Sequence, residues 1–267
     1  MPSYESSSSR QRYTPQLRRV LRLAEAAVKR LREMRRPSVP DHILLAFLGK
    51  SIDGLRGILI FQKSGLCHEA QSLARTLFEV RLSFDAFVEL MRAGVRTACM
   101  RVMDAVMLEK IKQARASEFK GFDLIHGAPT AQKLLATETE ISSRYSPSEL
   151  KKLKQYGFTG MNIEQRAIRS GLSEEYNIVY RNFSRNVHST DFMELFVQEA
   201  PNLIRSADPD VYVEYRDAVC CDVAFISVAG IAIKVNQLAS LGLDRRIQGL
   251  LRAQQRLQHG SGAGEPD

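Results

Sequence analysis

Glycine and proline are scarce enough in this chain to decide its fold class. Neither occurs between Gly65 and Gly94, between Gly94 and Gly121, or between Gly171 and Pro201. A strand-rich fold needs turn residues far more often than this. Within the uninterrupted runs, apolar residues recur at helical spacing. One run carries Leu73, Leu77, Phe78, Leu82, Phe84, Phe87 and Leu90; the next carries Met100, Val102, Met103, Val106, Met107 and Ile111. The pattern predicts an all-α multi-helix bundle with antiparallel neighbours. Helices are expected at about 15–36, 41–64, 67–92, 96–117, 131–142, 147–156, 161–170, 173–188, 191–198, 210–240 and 243–258, with a loop over 118–130. They form a single all-helical domain over 15–258, between a disordered polar tail at 1–14 and a flexible tail at 259–267. The methionine stripe at 100, 103 and 107 can mark a binding groove; core filling is the reading preferred from sequence.

A chain of 267 residues, 44% hydrophobic and 25% charged, can bury one large core or two modest ones. Its net charge of +8 is unevenly placed: residues 1–36 hold ten Lys/Arg against three Asp/Glu, and the rest is nearly balanced. A focused basic segment attracts polyanions at long range, or is simply a solvated arginine-rich face. Cys67, Cys99, Cys220 and Cys221 have no CxxC or zinc-ligand spacing. They suggest a reduced, cytoplasmic protein without structural disulfides. No secretory leader is recognisable, and the apolar window from Val223 to Val235 is shorter than a membrane span, so it reads as a buried core helix with no membrane role.

Phosphate-binding loops, HExxH and GxSxG motifs are all missing, and His42, His68, His126 and His259 are scattered. No metal or cofactor is expected. What remains is the octapeptide Arg-Asn-Phe-Ser-Arg-Asn-Val-His at 181–188. At about 100° per residue, Arg181, Ser184, Arg185 and His188 share one helical stripe, with Asn177 one turn earlier. A permanent cation, a hydroxyl and an imidazole on one stripe can bind a phosphate and move its protons. The same residues would also make an ordinary solvated face. A second feature is Arg75 and Glu79, at i and i+4 in an otherwise apolar helix. Arginine before glutamate is the weaker order for helix stability, so the pair either braces the 173–188 helix or is a surface ion pair of about 0–1 kcal/mol.

An arginine followed by a polar residue and then a histidine, late in an all-helical domain, resembles the motif of the HEPN (higher eukaryotes and prokaryotes nucleotide-binding) superfamily. The spacing from Arg181 to His188 is at the long end of that pattern. The stretch from Ala70 to Glu79, with Tyr180, Ser184 and His188, is also similar to an uncharacterised bacterial group of HEPN-like helical proteins, over about 40–240. The resemblance implies a metal-independent endoribonuclease acting as a homodimer or higher homo-oligomer, often a toxin or antiphage-defence effector. Its partners would be RNA and an antitoxin or other defence-system protein. Arg181 would bind the scissile phosphate, His188 would act as general base or acid, and Asn182 would orient them. Arg185 and Ser184 would add phosphate contacts by their place on the stripe. Two alternatives stay open: a non-catalytic module that binds RNA, nucleotide or protein, with the basic arm at 10–36 carrying RNA affinity, and a helical regulatory protein whose stripe is inert.

Overall fold

The computed structural model describes residues 8–34, 36–116, 129–187 and 209–259. Ten α-helices and one short 3-10 turn fill these segments, and no strand occurs among the described residues. In chain order the helices are α1 (Ser8–Arg32), α2 (Val39–Lys63), α3 (Cys67–Ala93), α4 (Val95–Ala116), α5 (Pro129–Ser143), α6 (Pro147–Tyr156), α7 (Ile163–Arg169), α8 (Ser173–Val187), α9 (Pro209–Ala239) and α10 (Asp244–His259). The all-α class follows the sequence. The expected helix at 191–198, residues 1–7 and 260–267, His126 and His188 lie outside the described residues.

Local chemistry sets most boundaries. Before α2 the Asp41 carboxylate accepts from the Ser38 N–H at 2.7 Å and from its hydroxyl at 2.6 Å. The helix closes in a Schellman turn, with Leu66 N donating to Phe61 O at 2.9 Å and Gly65 N to Gln62 O at 3.3 Å. Gly65 takes the left-handed conformation this turn requires, at φ 75°. A capping box opens α6: Ser146 N donates to Glu149 Oε2 at 3.0 Å, and Glu149 N to Ser146 Oγ at 3.4 Å. The Ser146 hydroxyl and N–H together hold the Glu149 carboxyl below its ordinary pKa. Asn162 and Gln165 repeat the device on α7.

The chain forms two compact units, one of residues 1–84 and 172–267, the other of 85–171. In the first, α1, α2 and α9 pack mutually. Leu17, Val20, Ala24, Ala27 and Leu31 of α1 are buried, as are Leu48, Leu55 and Ile58 of α2. α9 is buried on nearly all sides from Cys220 to Val235, which is why its sequence lacks a polar face. Its Asp217–Ala239 stretch is long and apolar enough to cross a membrane by length and composition, and here it packs among helices. The buried Asn236 turns the chain into α10, accepting from Leu243 N at 2.9 Å and donating to Asp244 at 3.1 Å.

The second unit centres on Leu108, Ile141 and Leu153, with Tyr145 and Leu150 packed against them. Beside this core the buried Asp104 accepts from Arg144 Nη1 at 2.7 Å and from the Tyr145 hydroxyl at 2.9 Å. Burial and the bond to Asp104 push the Tyr145 phenol up to about 12. Arg101 donates to the Phe158 carbonyl at 2.6 Å and ties α4 to the 3-10 turn at Gly157–Thr159.

Two expectations are corrected. The methionine stripe of α4 joins the core only at Met107, which packs against the Leu108 cluster; Met100, Met103 and the neighbouring Val106 are 39%, 56% and 50% exposed. Apolar residues occupy two faces of α4, and the buried one runs through Asp104, Leu108 and Ile111, where Asp104 meets Arg144 and Tyr145. The N-terminal helix also starts at Ser8, within the stretch expected to be a tail, and ends at Arg32. Straight-chain helix formers at Arg10, Gln11 and Arg12 extend it ahead of Pro15, whose missing N–H forfeits one bond.

Candidate functional site

The motif helix α8 is anchored on one side. Val179 and Phe183, one turn apart, are buried, and α8 packs against α9. Tyr176 and Tyr180 flank this apolar strip and stack on each other, with centroids 5.0 Å apart and planes at 21°. In the helical register, position 181 lies about 200° round the axis from Val179, 185 about 240° and 184 about 140°. Those three positions therefore lie on the side of α8 away from the apolar strip. Position 182 lies about 60° from Val179 on the other flank. The backbone is helical through Val187. The side chains of Arg181, Asn182, Ser184 and Arg185, and His188 altogether, lie outside the described residues.

The supporting pair is fully described. Arg75 of α3 is only 11% exposed at its side chain, whereas Glu79 is 38% exposed; Nε lies 3.1 Å from Oε1. The guanidinium carbon of Arg75 sits 4.3 Å from the centroid of the Tyr180 ring. Arg75, Tyr180 and Tyr176 thus form one continuous stack from α3 along α8. Such a cation–π contact is worth roughly 0.5–2 kcal/mol, the upper end applying as water is excluded. The Nη1 of Arg75 is buried and has no hydrogen-bond partner among the described residues. The pair's main reach is tertiary, from α3 to α8, which accounts for an order that does little for the helix itself.

A second arginine of α3 does for α9 what Arg75 does for α8. Arg81 Nη1 donates to the Ile226 carbonyl at 3.2 Å. It occupies the space a side chain at Gly230 would fill, since a Cβ there would fall 1.0 Å from Nη1. Sequence reasoning missed both this contact and the tyrosine stack. The signals were present: a lone glycine within the apolar run of α9, and two tyrosines at i and i+4.

Other candidates are weaker. Among the described residues no three His, Cys, Asp or Glu side chains gather as a metal site. Cys99, Cys220 and Cys221 are buried and in no disulfide among the described residues, and burial raises the pKa of Cys99. A cavity of about 360 Å³ in the second unit is lined by Lys112, Arg115 and Lys154 with Glu109 and Glu138. Its charges are largely spent on one another: Glu138 holds both Arg115 and Lys154, and Lys112 lies 3.5 Å from Glu109.

Comparison with known proteins adds one finding. A family model matches residues 41–202, well over half of the chain. The protein belongs to the DUF5677 family, a family of unknown function. No curated protein and no solved structure matches it. The DUF5677 segment begins in α2 and runs past the end of α8, so Arg75, Glu79, Tyr180 and the 181–188 motif all fall inside it. Helices α1, α9 and α10 fall outside.

Proposed function

We propose that this DUF5677 protein is a metal-independent endoribonuclease of HEPN type, serving as a toxin or antiphage-defence effector in the cytoplasm. One observation carries the reading beyond the motif itself. Arg75, a part-buried cation in a mostly apolar helix, lies across Tyr180, the residue immediately before Arg181. An arginine spent on fixing that helix is what a site needs when a neighbouring side chain must be held to a fraction of an ångström.

In this mechanism Arg181 binds a non-bridging oxygen of the scissile phosphate and stabilises the charge that grows on it. His188 takes the proton of the ribose 2′-hydroxyl, which attacks the phosphorus, and the 5′-oxygen leaves with a proton from a general acid. Asn182 orients the phosphate or the imidazole. Arg185 and Ser184 contact flanking phosphates. In-line displacement needs a base and an acid on opposite sides of phosphorus, and one copy of the motif supplies a single histidine. A two-fold homodimer supplies the second.

The chemistry prescribes its products. RNA incubated with the purified protein in EDTA should yield fragments ending in 2′,3′-cyclic phosphate and 5′-hydroxyl. Arg181→Ala should slow cleavage by at least about 100-fold, the scale set by loss of one charge-stabilising donor. Cleavage that needs added divalent metal, or that leaves 5′-phosphate ends, would contradict the mechanism.

A further inference from the structure

The basic excess of the chain gathers on two helices far apart in sequence and packed together in space. α1 holds eight Lys/Arg and one Asp/Glu; α10 holds four and one. Their joint surplus of ten exceeds the net +8 of the whole chain, so everything else is slightly acidic. α1 and α10 are in contact within the first unit.

Where they meet there is a groove of about 400 Å³. α1 lines it with Arg19, Arg22 and Leu23, and α10 with Arg246, Gly249 and Leu250. Both walls use the same register, an arginine at i and a leucine at i+4. Leu23 and Leu250 are buried and form a floor, while the three arginines are exposed along the rims. A side chain at Gly249 would meet nothing within 4 Å, so the groove is open there. None of the three arginines has an ion-pair partner among the described residues; nearby acidic groups are committed, Glu25 to Arg56 at 2.7 Å and Asp244 to Asn236 at 3.1 Å.

Three unpaired guanidinium groups along an apolar-floored trough match a chain that is anionic at regular intervals and flat between its charges. We infer that the α1/α10 groove binds the phosphodiester backbone of single-stranded RNA. The choice of RNA among polyanions rests on the ribonuclease reading; the groove itself does not. It would hold substrate at a site separate from the Arg181 motif and outside the DUF5677 segment. Concave, arginine-rimmed geometry suits a strand, whereas a membrane surface would call for a convex face with exposed apolar anchors.

The test is fluorescence anisotropy with a labelled single-stranded RNA in EDTA, in a His188→Ala background so that binding is read without cutting. The logarithm of affinity should fall steeply with the logarithm of salt between about 50 and 200 mM. Changing Arg19, Arg22 and Arg246 together to Gln should weaken binding at least tenfold and flatten the slope by about 2, at roughly 0.7 for each phosphate no longer neutralised. The matching Lys triple should keep the slope. Changing Arg92, Arg96 and Lys110 to Gln removes as much charge elsewhere and should change affinity less than twofold. Circular dichroism confirms that each variant is folded. Binding unchanged in the Gln triple, equal losses in the two Gln triples, no RNA binding at all, or preference for anionic phosphatidylserine vesicles over RNA would each overturn the inference. RNA held by the groove in a wild-type protein that cannot cut would refute the ribonuclease and leave the groove standing. Cutting by wild type that is indifferent to the groove would do the reverse.

Discussion

Single side chains in this protein act mainly as ties between helices. Arg75 ties α3 to α8 through Tyr180, and Arg81 ties α3 to α9 through the Ile226 carbonyl. Arg75→Lys keeps the charge and loses the flat guanidinium, so it should cost about 1 kcal/mol of stability in urea unfolding. If the tie positions the motif, RNA cleavage should fall by more than that loss explains while RNA affinity stays unchanged. Equal small losses in all three would make Arg75 merely structural. Tyr145 offers a test by pH. Its phenol is neutral when protonated, and its folded pKa of about 12 stands above the ordinary value near 10. The fold therefore holds that proton more tightly. The resulting stability is complete below about pH 10 and is lost as pH rises toward 12. Tyr145→Phe should destabilise by about 1 kcal/mol at neutral pH, with the difference from wild type shrinking steadily above pH 10. A difference that stays constant to pH 12 would rule out the Asp104 bond as its source.

At the scale of elements, most of the fold was legible because it is written locally. Ser38 with Asp41, Ser146 with Glu149, and Gly65 mark helix ends through bonds between residues a few positions apart, and such ends can be read from a string. The face a helix buries is another matter when two faces qualify. α4 has apolar residues on two sides, and the side chosen depends on Arg144 and Tyr145, some forty positions away. Close helix packing is similarly hidden. A Cβ on Gly54 of α2 would lie 2.6 Å from Leu77 Cδ2 and 3.0 Å from its Cγ. Gly54→Ala should therefore destabilise by about 1–3 kcal/mol through overpacking, against the gain of roughly 1 kcal/mol that helix propensity alone would bring. Thermal unfolding with a higher Tm than wild type would contradict the close approach of α3.

Across the whole molecule, charge and motif are divided between different parts of the chain. The 181–188 motif was visible because all its members lie within eight positions, near enough for a helical reading of the string alone to expect them on one stripe. Arg75 was visible as half of an i, i+4 pair in the unfavourable order, but its target, Tyr180, was not, being more than a hundred residues away. The basic groove was only half legible. The arginines of α1 stand out as a cluster near the start of the chain, while those of α10 acquire meaning only when the two helices pack together. A homodimer is the assembly the proposed chemistry requires, since each copy of the 181–188 motif contains one histidine. Comparing wild type with His188→Ala on labelled RNA in EDTA, each shown to be folded by circular dichroism, reads out whether this motif cuts RNA without metal. Wild type should cleave, and the variant should lose at least about 100-fold in rate, the scale of a missing general acid or base. Cleavage at equal rates by both, or none by either, would contradict the ribonuclease reading.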